Sequence, residues 1–333
     1  MKVAINGFGS RGRAVFRALQ GRPGLELVAV NAALDAETMA YLARRDSVRG
    51  PFPGTCELSD GCLVTARGSA LLTAATDPGD LPWRRLGVEA VVEAGDCLDG
   101  CGIPNRHLAA GARKVVVAGA AHDGVEVTIF VGANDAALQP GHAVMATGSG
   151  AANCLAHLAG VLDSAFGLEL GLVTRTGPGP ADQCLVDAPH ADPRRGRAAG
   201  RNIVPTLEGS GREVGVALAH LAGRLDAQAL CVPVAGGSLL ELVAVLRRKA
   251  TAGSVNEALR LAGELPALAG ILGIAEDPLV STDIVGDSRS CVFDPGCTRV
   301  PGARTARTAA WFDEDWSVAG RVCDLLERLA KTG

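Results

Sequence analysis

The chain has 333 residues, 48 % hydrophobic and only 3 % aromatic, with a formal net charge of −4. That length accommodates two domains or one large α/β unit with a sizeable core, and that composition excludes a disordered chain. No basic block interleaves with aromatics, which argues against a nucleic-acid partner, and no apolar run approaches the roughly 18 to 20 residues of a membrane span.

KVAIN (2–6) reads as a buried strand with no charged-then-apolar leader before it, so a cytoplasmic location is expected. NGFGSRG (6–12) follows directly and gives G-x-G-x-x-G at Gly7, Gly9 and Gly12, opening a helix near Arg11 to Gln20. In that context Gly7 allows a tight turn, Gly9 lets a pyrophosphate approach, and Gly12 lets helix and sheet pack. The phosphate then sits on the positive end of the helix. Phe8, Ser10 and Arg11 complete this candidate cofactor turn, with Gly95 and Asn31 at the ends of neighbouring strands.

ELVAVN (26–31) is the second strand, where the dinucleotide fingerprint expects a terminal acid for the adenosine ribose. Here Asn31 is followed by Ala32. Losing the carboxylate removes both a ribose contact and the repulsion of a 2′-phosphate. NAD, NADP (with Arg11, Arg44 or Arg45 receiving the phosphate) and no cofactor at all therefore stay open. DAETMAYLARR (35–45) suits a helix with its acids near the start. EAVVEA (89–94), a helix over NRHLAAGA (105–112), KVVVAG (114–119), VTIFVG (127–132) and AVMAT (143–147) complete a doubly wound parallel sheet.

After Gly150 the rhythm changes. AANCLAHLAGVLDSAF (151–166) has an apolar stripe at helical spacing, and LELGLVTRT (168–176) and SLLELVAVLRR (238–248) alternate as antiparallel strands do. Between them runs a Gly/Pro/Arg-rich loop from Gly177 to about Asn202, whose basic stretch PRRGRAAGR (193–201) reads as a solvated or inter-subunit loop. An amphipathic helix, WSVAGRVCDLLERLAK (316–331), closes the chain. The expected architecture is α/β: a Rossmann-type domain over 1–150, an α+β domain with a mixed, largely antiparallel sheet over 151–315, and a helix over 316–333 packing back on the first domain. The ten cysteines form no CxxC pair, and only Cys97 and Cys101 sit close together. Free thiols and no metal site are expected.

Nine segments, in order, carry a resemblance: VAINGFG (3–9), YLARRDSV (41–48), DLPWRRLGVEAVVEA (80–94), HLAAGARKVVV (107–117), NCLAHLAGVL (153–162), PRRGRAAGRNIVPT (193–206), GILG (270–273), PLVSTD (278–283) and WFDEDW (311–316). With them the chain resembles glyceraldehyde-3-phosphate dehydrogenases over nearly its whole length. The resemblance implies a dinucleotide-binding domain, a catalytic domain with a sheet of about eight strands, and a homotetramer or homodimer. It identifies 177–202 as the S-loop, which in that family lines neighbouring cofactor sites at a subunit interface.

The departures fall where that family keeps its chemistry. SGAANC (149–154) matches S-C-T-T-N-C and puts Gly150 at the nucleophilic cysteine, while TRTGPGPADQ (174–183) puts Gly177 at the base histidine. Glycine offers no nucleophilic atom and no proton relay, so neither thiohemiacetal nor acyl-enzyme can form. Phosphate-binding threonines correspond to Glu208 and Pro180, a phosphate arginine to Cys231, and a carboxamide-binding asparagine to Glu314, whereas Asp182 and Arg195 match. The phosphorylating reaction is therefore expected to be lost.

Substitute chemistry has several candidates. Cys231 with Arg195 and Glu208 would group a thiol, a cation and an acid. Glu208 and Glu314 are new carboxylates suited to acid–base work if buried. Ser149 could bind a substrate oxygen but has no obvious base. Cys154, one turn beyond Gly150, reads as a structural thiol, and His122 and His190 as loop residues. Two functions follow. One is a repurposed enzyme of specialised metabolism, acting on a non-phosphorylated small molecule without a thioester. The other is a pseudoenzyme: a ligand sensor, or a subunit assembling with an active paralogue.

Overall fold

KVAIN forms β1 (Lys2–Asn6), whose Val3, Ala4 and Ile5 are fully buried at the centre of a nine-stranded sheet. The computed structural model describes residues 1–95 and 102–332; Cys97 and Cys101 lie outside them. The chain divides into two units, Met1–Gly148 with Val318–Gly333, and Ser149–Ser317.

In the first unit α1 (Ser10–Leu19) leads to β2 (Glu26–Asn31), and α2 (Ala36–Arg44) is capped by Asp35, whose carboxylate accepts the Thr38 amide at 2.7 Å. An antiparallel meander follows: β3 (Cys56–Ser59), β4 (Cys62–Thr65) and β5 (Gly68–Thr73). Then come α3 (Trp83–Leu86), β6 (Ala90–Glu93), α4 (Ile103–Ala109), β7 (Lys114–Val117), β8 (Val127–Thr128) and β9 (Val144–Ala146). The strand order is β3-β4-β5-β2-β1-β6-β7-β9-β8, with β5 through β9 mutually parallel. Central strands such as β6 are buried throughout, as a sheet covered on both faces requires.

Two expected elements shift. The run 127–132 pairs only at Val127 and Thr128. Ile129, Phe130 and Val131 are buried, yet the Phe130 amide turns to the Asn134 side chain at 2.8 Å instead of joining a ladder. The helix expected over 105–112 starts earlier, at Ile103, where Pro104 stands in its first turn, and stops before Gly111 at φ +112°.

The second unit opens with α5 (Gly150–Phe166), followed by β10 (Leu168–Gly177), β11 (Val204–Leu207), α6 (Ser210–Ala217), β12 (Leu225–Cys231), β13 (Ser238–Leu246), α7 (Ala252–Gly263), β14 (Leu272–Ile274), β15 (Cys291–Arg299) and β16 (Thr305–Phe312). Its seven described strands run β11-β12-β10-β13-β16-β15-β14. β10 is antiparallel to β13, as expected, but parallel to β12 on its other side, so the sheet is mixed. α5 packs on β10, β13, β15 and β16. The closing helix α8 (Glu314–Thr332) starts at Glu314, earlier than the apolar pattern from Trp316 suggests, because Asp313 caps it by accepting the amides of Asp315 and Trp316. No described helix is long and apolar enough to cross a membrane.

Candidate functional site

The start of α5 is held by carboxylates. Ser149 is its N-cap: its Oγ accepts the Ala152 amide at 3.2 Å and donates to Glu213 Oε1 at 2.8 Å, while its own N–H donates to Glu213 Oε2 at 2.9 Å. Glu213, from α6, is thus the hydrogen-bond acceptor of the Ser149 hydroxyl. Gly150, the next residue, faces Glu314. A Cβ at Gly150 would stand 2.8 Å from Glu314 Oε2 and 3.0 Å from its carbonyl oxygen. Glu314 fills the space a side chain at this position would need.

Glu314 is in turn held by Arg175, which sits in β10 two residues before Gly177 and therefore on the same face. Arg175 Nη1 donates to Glu314 Oε1 at 2.9 Å and Nε donates to Glu208 Oε2 at 3.1 Å. Nη1 also reaches Ser238 Oγ (3.4 Å) and the Pro178 carbonyl (3.5 Å), and Nη2 lies 4.0 Å from Cys231 Sγ. Ser238 Oγ donates to Glu314 Oε1 at 3.3 Å, and Glu208 Oε1 accepts the Ser210 amide at 3.1 Å. A Cβ at Gly177 would lie 2.1 Å from Ser238 Oγ and 3.2 Å from Arg175 Nη1. Gly150 and Gly177 are therefore both overlaid by this one polar cluster.

Arg175 is only 8 % exposed. Burial pushes its pKa down, but Glu314 and Glu208 outweigh that and leave it above the ordinary arginine value. Reading the sequence missed this residue. Its signal is an arginine in the inward register Gly171, Val173, Arg175, Gly177 of an alternating strand.

The structure brings Cys231, Glu208 and Glu314 together around Arg175, with Arg195 near enough for its charge to act on the Cys231 thiol. Cys231 is 2 % exposed, and burial raises its thiol pKa although the charges of Arg175 and Arg195 pull the other way. Burial thus works against the thiolate that a nucleophilic Cys231 would need. Arg195 donates to Asp182 at 2.6 Å, and His190 Nε2 lies 3.4 Å from the same carboxylate. Cys154 is fully buried and raised well above the usual thiol range, by burial first and then by Cys291 and Glu314. His122 lies in the turn before β8. Among the described residues no group of three or more His, Cys, Asp or Glu is placed to hold a metal ion.

In the first unit the glycine turn has the shape its motif requires. Gly7 has φ +91°, and a Cβ there would stand 2.5 Å from the Gly95 nitrogen; a Cβ at Gly12 would stand 2.0 Å from the Gly7 carbonyl oxygen. α1 begins directly after Gly9, with no acid in its first turn. Gly7, Phe8, Gly9, Ser10 and Gly12 thus fit a pyrophosphate, with Arg11 and Gly95 alongside. A nicotinamide dinucleotide held there would supply hydride transfer. The ribose end is different: Asn31 is engaged with Asn6 and Ala75, and Asp35, the next acid, caps α2. Arg11 donates to the Ala118 carbonyl at 3.1 Å, beyond β7 and away from β2. Arg44 ends α2 and Arg45 is its C-cap.

Two family models cover most of the chain. One, for the glyceraldehyde 3-phosphate dehydrogenase C-terminal domain, matches residues 149–314, and the other, for the NAD binding domain of the same enzyme, matches residues 1–99. Glyceraldehyde-3-phosphate dehydrogenase 2 of Streptomyces arenae is 42 % identical over 98 % of this chain and 97 % of its own length. The glyceraldehyde-3-phosphate dehydrogenases of Kitasatospora aureofaciens and Borreliella burgdorferi are 41 % and 39 % identical, each over 99 % of this chain and over 99 % and 100 % of their own lengths. On the order of its segments, its two sheets and these relatives alike, the chain belongs to the glyceraldehyde-3-phosphate dehydrogenase family.

Proposed function

We propose that this chain no longer runs the phosphorylating dehydrogenase reaction, and that it is a repurposed enzyme acting on a non-phosphorylated small molecule without a cysteine thioester. The observation that carries this reading is the Glu314 carboxylate in the side-chain space of Gly150, tied to Arg175 at 2.9 Å. A nucleophile is missing, and the group in its place is an acceptor. Glu208 and Glu314 face one guanidinium, a balance that repels a phosphate instead of clamping it. Acid–base chemistry through these carboxylates, with the Ser238 hydroxyl beside Glu314 and Arg175, is what the cluster can offer.

The same cluster supports a second reading, a ligand sensor or a subunit assembling with an active relative, because Arg175 already satisfies both carboxylates within the chain. On the first reading the protein is cytoplasmic, a homotetramer or homodimer, and takes NAD or NADP at the Gly7–Gly12 turn.

The test is a paired assay on the purified protein. Reduction of NAD or NADP with glyceraldehyde 3-phosphate and inorganic phosphate is expected to stay at the protein-free background, while calorimetry with the oxidised and reduced dinucleotides shows binding. Steady turnover of glyceraldehyde 3-phosphate would overturn the proposal. Copurification with an active dehydrogenase subunit, without dinucleotide affinity, would favour the second reading.

A further inference from the structure

A polar relay runs along the carboxyl edge of the first unit's sheet, beneath the glycine turn. Thr73 Oγ1 and the Ala75 amide each donate to Asn31 Oδ1 at 2.9 Å. Asn31 Nδ2 donates to Asn6 Oδ1 at 2.7 Å, and Asn6 Nδ2 donates to Glu93 Oε2 at 2.7 Å. His107 Nε2 lies 2.9 Å from that same oxygen, and Trp83 Nε1 donates to His107 Nδ1 at 2.9 Å. The Gly95 amide donates to the other oxygen, Glu93 Oε1, at 2.7 Å. Trp83 and His107 are fully buried and Glu93 is 2 % exposed.

The direction of every proton follows from chemistry. An indole N–H only donates, so His107 Nδ1 is bare and Nε2 carries the hydrogen, which it gives to Glu93. Thr73 and Ala75 fix the orientation of the Asn31 amide, and that amide fixes Asn6. Glu93 consequently meets three donors, from Asn6, His107 and Gly95.

From this geometry we infer that Glu93 is the positioning residue for the dinucleotide turn, a role that rests on the cofactor reading proposed above. Its two oxygens hold the two walls of the turn separately. Oε2 anchors the side chain of Asn6, the residue before Gly7; Oε1 anchors the Gly95 amide, whose nitrogen is the atom nearest a Cβ built on Gly7. The Ala94 amide closes the gap by donating to the Asn6 carbonyl at 2.7 Å. Open α/β sheets bind their ligands outside these strand ends. The carboxylate therefore sets the width of the anion-binding turn without touching the dinucleotide.

The experiment is Glu93→Gln in the full-length protein. Either orientation of the amide opposes a donor to a donor, so one wall is released. Calorimetry is expected to show about a tenfold weaker dissociation constant for the dinucleotide the unsubstituted protein binds, the equivalent of losing one hydrogen bond to a charged group. In the ligand-free protein, amide hydrogen exchange is expected to quicken in peptides spanning 6–12 and 94–95. Leu63→Ala, in β4 and outside the relay, serves as the stability control and is expected to leave dinucleotide affinity unchanged. Should Glu93→Gln fail to fold, Asn6→Ala cuts the Oε2 wall alone and is expected to weaken binding in the same direction. Unchanged affinity in the relay variants, or equal weakening in Leu63→Ala, overturns the role while the cofactor reading stands. Absence of binding by the unsubstituted protein overturns both, and it is seen before any substitution is made.

Discussion

Gly150 and Glu314 act as a complementary pair. A side chain added at Gly150 meets the Glu314 carboxylate at 2.8 Å and its backbone at 3.0 Å, so the carboxylate must leave Arg175 for the new group to fit. Gly150→Cys is therefore expected to lower unfolding free energy by about 1–3 kcal/mol, the usual cost of overpacking, and to restore no dehydrogenase turnover. Denaturant unfolding and the coupled reduction assay check both halves. Recovered turnover in this single variant would show that Glu314 yields its place freely. At this scale the sequence was only partly informative. Gly150 and Gly177 stood out in the sequence, because the resemblance expects a nucleophile and a base at those positions and a glycine has no chemistry to offer. Arg175 was not, because its importance lies in partners 33, 63 and 139 residues away in the chain. Glu213 was invisible for the same reason: its contact with Ser149 spans 64 residues.

At the level of elements, the start of α5 draws on two segments for acceptors. Ser149 caps the helix and is itself oriented by Glu213, which places a negative charge at the helix's positive end. Ser149→Ala removes the cap and one bond to that carboxylate, and about 1–2 kcal/mol of stability is expected to go with it. A thermal melt that matches the unsubstituted protein would show the cap to be dispensable. Elements were legible wherever a local rule specifies them. The β1–α1 turn is one such case, since Gly7 at φ +91° and the close approaches at Gly7 and Gly12 follow from spacing alone. The strand end at 129–131 was not legible, because a buried apolar run has the same composition whether it joins a ladder or packs as a loop. The meander of β3 to β5 lies between. Asp60 and Gly61 both have positive φ and carry a strong hairpin signal, but they join strands of only four residues, too short for periodicity to assign.

For the molecule as a whole, the fold class was readable because nine short segments keep their order across the chain, and about 40 % identity over full length preserves both sheets. The scattered cysteines show what composition alone could not say. Burial raises the thiol pKa values of Cys56, Cys154, Cys231 and Cys323, the last to about 12. A raised folded-state pKa means the folded chain holds its thiol protons more tightly than the unfolded chain. The stability these thiols contribute is complete below the unfolded value near 9 and is lost as pH rises toward the folded values. Denaturation midpoints are thus expected to change little through these groups from pH 7 to 8.5 and then to fall steeply. A midpoint flat to pH 11 would contradict the burial of these thiols. In the same alkaline range iodoacetamide should leave native Cys231 unlabelled until the protein opens.

The Trp83–His107 contact has a practical consequence. The chain holds three tryptophans, and this one has a fully buried indole N–H fixed on an aromatic nitrogen. Such a proton is shielded from solvent and shifted downfield in a magnetic resonance spectrum. Because Trp83 stands at one end of the relay through Glu93 to the glycine turn, that resonance is a native probe. With the proposed relay in place, dinucleotide binding is expected to displace it, with no label added and no reaction required.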